Sequence, residues 1–188
     1  MHYTRYQNIL NIVVCNKNNG GIYIEIIKLE NKFRNEIINY IDNEWGTPIV
    51  TKGNIIDITG LPGFIAVENE NLAGALLYQI KNDECEIVVL YNLMEGKNIG
   101  TKLINAVIEQ AKEKACKRIW LITTNDNTSA IRYYQKRGFT LNAIHINAFR
   151  VTQQLKGEFG EYGENENGLI LGIDDIPILH EIEFEIIL

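Results

Sequence analysis

The chain has 188 residues, enough for one domain with a full core and too few for two of ordinary size. Its 46% apolar and 22% charged residues suit a globular protein, and a net charge of −6 argues against a general nucleic-acid binder while being compatible with a cationic partner. Three widely spaced cysteines (Cys15, Cys85, Cys116) without a CxxC pair argue against a disulfide framework or a metal site and point to a reducing cytoplasm.

In chain order, residues 1–20 end in NKNNGG and read as an N-terminal extension or an extra edge strand. Their only apolar stretch is broken by Asn11, so neither a signal peptide nor a membrane span is expected. The remainder, 21–188, reads as a single domain. IYIEIIKL (22–29) is rich in β-branched residues and predicts a strand. Phe33, Ile37, Ile38, Ile41 and Trp45 then recur at helical spacing until Gly46-Thr47-Pro48 stops the helix. IVTKGNIIDITGLPG carries turn signals at Lys52-Gly53 and Leu61-Pro62-Gly63 and leaves open a short strand or a short helix.

FIAVE (64–68) and NLAGALLYQI (71–80) form a hairpin pattern, and Lys81-Asn82-Asp83 turns the chain into CEIVVLY (85–91). This last strand is apolar on both faces, as in the middle of a covered sheet, with Glu86 as its exception. Ile99, Leu103, Ala106, Val107, Gln110 and Ala111 mark one face of a helix from 97 to about 115. RIWLITT (118–124) is another buried-type strand. Asn127 is placed to cap a helix over 128–137, which Gly138 ends. LNAIHINAF predicts a strand, 156–168 a polar loop, and IPILHEIEFEI (176–186) a closing strand. In that last strand Ile178, His180, Ile182 and Phe184 face one side, and Glu181, Glu183 and Glu185 face the other, read as a solvated surface ahead of a receptor for a cationic substrate. The order implies a mixed α/β sheet with helices on both faces. The final strand is long enough to pair across a homodimer or to lie inside its own sheet.

EGKNIGTK (95–102) joins a buried strand to a helix N-terminus, where unpaired N–H groups and the positive end of the helix dipole favour an anion. Gly100-Thr101-Lys102 does not fit a Walker A loop, and Gly96 to Gly100 does not supply a dinucleotide fingerprint. On the loop alone, an ordinary strand-to-helix turn is an equal reading. Tyr134 lies one turn from Ala130 and Ile131, on the face that packs against the sheet, and by itself reads as a core aromatic. Glu86 reads either as a carboxylate costly to ionise in an apolar strand, suited to general-base work, or as a solvated glutamate like Glu84.

EGKNIGTKLI followed by NTSAIRYYQKRGF resembles the GNAT superfamily of N-acetyltransferases. In that family an acetyl-CoA loop, Gln/Arg-x-x-Gly-x-Gly/Ala, opens a long helix, and Asn-x-x-Ala-x-x-x-Tyr-x-x-x-Gly-Phe follows about 30 residues later. The second motif is complete here as Asn127, Ala130, Tyr134, Gly138 and Phe139; the resemblance covers roughly residues 60–150. The first departs twice: Glu95 replaces Gln or Arg, and Asn98 replaces a glycine. Asparagine tolerates left-handed backbone angles, so the loop shape is expected to survive. Glu95 would repel a pyrophosphate unless turned away, with Lys97 and Lys102 placed to offset it.

The resemblance implies a mixed, mostly antiparallel, twisted sheet whose central parallel pair, 85–91 and 118–124, splays to admit the pantetheine arm of acetyl-CoA. It implies that the amides of Gly96, Lys97, Asn98, Ile99, Gly100 and Thr101 hold the pyrophosphate, with the Thr101 hydroxyl an added donor. A backbone N–H near Val89 or Leu90 would polarise the acetyl carbonyl, and Asn127 would lie beside the pantetheine. Tyr134 becomes the acid for the departing thiolate, with Tyr133 as its control, and Glu86 a base acting directly or through water. The implied activity is transfer of acetyl to a small-molecule or peptide amine in a ternary complex, with no metal, nucleic acid or membrane involved. The alternative is a catalytically weak or inactive acyl-CoA-binding module with the same fold, to which Glu95 and Asn98 lend support.

Overall fold

The computed structural model describes residues 23–157 and 169–188. The expectations for residues 1–20 and for most of the 156–168 loop lie outside these. β1 (Ile24–Lys28) leads into α1 (Asn31–Trp45), which buries Phe33, Ile37 and Ile41 at the spacing of one helix face. Gly46, at φ 67°, ends the helix and donates its N–H to the Asp42 carbonyl. β2 (Ile49–Thr51) and β3 (Asn54–Ile56) then form a small hairpin. Its two turn residues, Lys52 and Gly53, both adopt positive φ, the geometry that matches the twist of a tight hairpin. The stretch that left strand or helix open is therefore a hairpin, lying outside the main sheet.

β4 (Gly63–Glu68), β5 (Asn71–Lys81) and β6 (Glu84–Asn92) are antiparallel neighbours. α2 (Ile99–Glu113), β7 (Arg118–Thr124), α3 (Thr128–Gln135), β8 (Thr140–His145), α4 (Ala148–Lys156) and β9 (Glu181–Ile187) complete the described elements. The main sheet has seven strands in the order β1-β4-β5-β6-β7-β9-β8, antiparallel except for β6 beside β7. One face packs on α2 and α3 through Ile87, Ile119, Leu121, Ile182 and Phe184. The opposite face of β4, β5 and β6 packs on α1 through Ile65, Ala75, Leu77, Val89 and Tyr91. Leu103, Val107 and Ala111 of α2 are fully enclosed; a buried leucine or valine of this kind contributes about 1.5–3 kcal/mol.

Three expectations change. LNAIHINAF is not one strand: β8 stops at His145, Asn147 turns left-handed at φ 58°, and α4 begins. The helix escapes a search for apolar periodicity because its buried residues are Thr152 and Gln153, whereas Val151 and Leu155 are exposed. The closing strand is shorter than 176–186. Its lead-in is held instead by Asn125, whose Oδ1 accepts from the N–H groups of Leu179 and His180 and whose Nδ2 donates to the Pro177 carbonyl.

The third change concerns the glutamates of β9. The alternation is as expected, but the glutamate face is no solvated surface: Glu181 and Glu183 are only 2% and 3% exposed. The β2–β3 turn and α4 supply partners. Glu181 accepts from the Lys52 N–H and the Thr152 hydroxyl. Glu183 accepts from Arg118, Asn142 and Lys52, with His145 Nε2 at 3.0 Å, and Arg118 also binds Glu84 and Glu185. Burial opposes ionisation of Glu183, but hydrogen bonds from Asn142, Lys52 and His145 outweigh it and hold its carboxyl down at about 2.

Glu183→Ala should cost about 1–3 kcal/mol of stability: it leaves Lys52 and Asn142 without their carboxylate acceptor, while Arg118 keeps Glu84 and Glu185. A carboxyl lowered on folding stabilises above its unfolded value, about 4.3, and loses that contribution as pH falls toward 2. Thermal melts across this interval should show wild type losing more stability than Glu183→Gln; equal losses would contradict the assignment.

Candidate active site

The β6–β7 ladder supplies the central geometry. Parallel pairing runs from Glu84 opposite Arg118 to Ile87 opposite Leu121 and stops there, although both strands continue. A bulge coincides with the break: against β5, Leu77 pairs with Val89 and Tyr78 with Ile87, which leaves Val88 as the extra residue. The bulge resets the side-chain alternation, so that Val89 and Tyr91 pack toward α1 while Leu90 packs toward α2. Beyond Ile87 the two parallel strands part, with main-chain groups of Val88–Asn92 unpaired to β7.

β6 then delivers the chain to α2 through an exposed loop. Leu93 N–H bonds to the Ala73 carbonyl, Gly96 adopts φ 71°, and Asn98 takes the left-handed conformation at φ 54°. Asn98 thus adopts the angles expected of it. Its carbonyl accepts from Lys102 N–H, but its side chain makes no capping bond. The amides of Ile99, Gly100 and Thr101 open the helix, where no preceding turn supplies acceptors. Glu95, Lys97 and Asn98 are exposed, whereas Lys102 lines a groove with Tyr23, Ile24 and Asn105 along β1.

Gly100 meets Tyr133: a Cβ built on Gly100 would clash with the Tyr133 hydroxyl. Tyr133 is therefore no distant control for Tyr134, because its hydroxyl rests on the first turn of α2. Arg137 fixes it there, stacking its guanidinium 3.3 Å from the Tyr133 ring centroid and donating to the Tyr133 carbonyl and the Thr101 hydroxyl. Sequence reasoning missed Arg137; the i, i+4 spacing to Tyr133 was the available signal.

Asn127 caps α3 by accepting from Ala130 N–H at 3.0 Å, and Gly138, at φ 86°, ends the α3 segment. Tyr134 stands edge-on to Tyr133 and Phe139, with Phe184 at 6.4 Å. Burial pushes its hydroxyl well above the usual tyrosine range, reinforced by Tyr133 and opposed by Arg137, so it stays protonated at neutral pH.

Glu86 is not a solvated glutamate. It is 5% exposed, with Oε1 accepting from the Thr51 hydroxyl at 2.8 Å and Oε2 from Gln79 Nε2 at 2.5 Å. It lines a cavity of about 380 Å³ with Lys52, Gln79 and Trp120, under the β2–β3 hairpin. Lys52 Nζ lies 3.8 Å from the Trp120 ring centroid in the same region. Burial, with Cys116 and Glu86 nearby, pushes the neighbouring Cys85 thiol up to about 12, far from nucleophilic use at neutral pH.

Splayed parallel strands, a glycine loop opening a helix, and a tyrosine on the next helix are the architecture of acetyl-CoA-dependent acyltransferases. The chain belongs to the acetyltransferase (GNAT) family, whose sequence profile matches residues 28–139. It is 41% identical over 131 residues to the uncharacterised protein YdhI of Bacillus subtilis (strain 168), covering 69% of this chain and 82% of that protein. A Bacillus subtilis acetyltransferase solved in complex with CoA shares the fold with a TM-score of 0.61 at 18% identity, over 89% of this chain and 99% of the other. A GNAT family acetyltransferase of Elizabethkingia anophelis with acetyl-CoA bound gives 0.60 at 19% identity, over 88% and 98%.

The Gly100–Tyr133 contact yields a local test. Gly100→Ala should displace the Tyr133 hydroxyl and lower stability by about 1–3 kcal/mol. Tyr133→Phe in the same chain should recover most of it, since the next ring atom lies 3.2 Å from the added carbon. Denaturant melts of the two single variants and the double variant measure the coupling; additive losses would refute the contact.

Proposed function

We propose that this protein transfers an acetyl group from acetyl-CoA to an amine acceptor by direct attack in a ternary complex. The observation that carries the reading is the parting of β6 and β7 after Ile87 and Leu121, in the sheet that β6 connects to the glycine loop of α2. The loop fits an anion: it is exposed, and no preceding helical turn accepts from the opening amides of α2. The amides of Gly96 to Thr101 would hold the pyrophosphate, and Asn127 would sit beside the pantetheine arm in the parted strands. Bound there, acetyl-CoA supplies an acyl group activated as its thioester.

Each residue then has a task. A main-chain N–H near Val89 or Leu90 stabilises the oxygen of the carbonyl under attack. Glu86, directly or through one water, takes the proton that the amine loses as its nitrogen bonds to the acetyl carbon. Tyr134 gives its proton to the sulfur as the carbon–sulfur bond breaks. Burial keeps Tyr134 protonated at neutral pH, so its hydroxyl carries a proton to give, and the inert thiol of Cys85 supports transfer without an acylated cysteine. The amine is of small-molecule or peptide origin, approaching from the polar cavity beside Glu86. A second reading, an acyl-CoA-binding module without turnover, is favoured by one residue: Glu95, a carboxylate in the loop that would face the pyrophosphate.

Thermal melts with acetyl-CoA test binding; a hundredfold excess over the dissociation constant should add about 2.7 kcal/mol. Thiol release across a panel of amines then separates enzyme from binding module. Tyr134→Phe should lower kcat at least about a hundredfold while leaving CoA affinity nearly unchanged. Glu86→Gln, which keeps an acceptor for the Thr51 hydroxyl but cannot take a proton, should lower kcat about a hundredfold while leaving CoA affinity nearly unchanged. Unaltered kcat would remove the respective residue from its role.

A further inference from the structure

Arg137 is held in an electrostatically unfavourable place. Its Nε donates to the Thr101 hydroxyl at 2.8 Å, which puts a guanidinium at the first turn of α2, the positive end of that helix. A cation is disfavoured there, yet Arg137 is fixed by two further contacts, the Tyr133 carbonyl at 2.9 Å and the Tyr133 ring. Among the described residues no carboxylate lies within ion-pair distance of it, although it is half-buried. Those bonds spend two of the five N–H donors that a guanidinium carries. A half-buried cation, rigidly positioned, without an acidic partner and beside unspent helix amides, is the arrangement that an anion completes.

The other candidate cations serve less well. Lys102 lies in the groove along β1, and Lys97 is an exposed side chain on the loop. Glu95 adds negative charge to the same loop. We propose that Arg137 is the cation that binds the cofactor pyrophosphate, offsetting the repulsion of Glu95, with Tyr133 and Thr101 setting its position. The stack on Tyr133 also accounts for Gly100: the tyrosine that steadies Arg137 occupies the space of a side chain there. This inference rests on the CoA-binding reading above.

The test is titration calorimetry of wild type, Arg137→Gln and Arg137→Lys with CoA and with dephospho-CoA, at low and at high salt, beside melts of the proteins without ligand. Arg137→Gln should weaken both ligands equally, by about tenfold or more, because both carry the pyrophosphate. Arg137→Lys should retain part of the affinity, and the gap between wild type and Arg137→Gln should narrow at high salt. Without ligand, Arg137→Gln should melt no more than slightly below wild type. Unchanged affinity, a loss confined to CoA, or a salt-independent loss accompanied by a large fall in melting temperature would overturn the assignment. Failure of wild type itself to bind CoA would instead overturn the acetyltransferase reading, and this one with it.

Discussion

The structure depends on an interruption: a ladder between two buried parallel strands that stops after four residue pairs while both strands run on. Main-chain groups in a sheet interior are costly to leave unpaired, so such a break must be imposed and held. The extra residue Val88 imposes it, bending β6 away from β7 while β6 stays paired to β5. Two cores hold it, since Val89 and Tyr91 anchor in the layer under α1 and Leu90 in the layer under α2. The strand cannot slide back without moving apolar side chains to the wrong face. The same strand leads into α2, so the opened backbone and the anion-favouring helix end occupy one side of the molecule.

The opposite face of the sheet over β6, β7 and β9 is organised by charge. The β2–β3 hairpin lies across it, with Thr51 on Glu86 and Lys52 between Trp120 and Glu183. Arg118 gathers Glu84, Glu183 and Glu185. Buried charges of this kind add little net stability over apolar packing, but removing one member leaves the others uncompensated. Their joint effect is to fix the hairpin, and with it Thr51, which joins Gln79 of β5 in orienting Glu86. The carboxylate proposed as base and the strands proposed to receive the thioester are therefore positioned by one continuous set of contacts.

Much of this was legible in the chain. The strands around the break and α2 follow from apolar periodicity because those elements bury apolar faces, and α3 follows from its Asn127 cap and Gly138 stop. Legibility failed where burial is polar. α4 inserts Thr152 and Gln153, and β9 buries glutamates, so hydropathy reports both as solvent-facing. The partners that make such burial tolerable, Lys52 and Arg118, lie more than 60 residues away from Glu183 in the chain. Arg137 was missed, and Tyr133 taken only as a control, for another reason: their i, i+4 spacing is local, but their contact with Gly100 and Thr101 on a different helix is not.

One ligand, bound as proposed, spans the parted strands and the first turn of α2. Amide hydrogen exchange with and without acetyl-CoA measures this residue by residue. Slowed exchange is expected together at Val88–Leu90 and at Ile99–Thr101, with little change in the α1 layer. Protection of the α2 turn alone, or none at either segment, would contradict it.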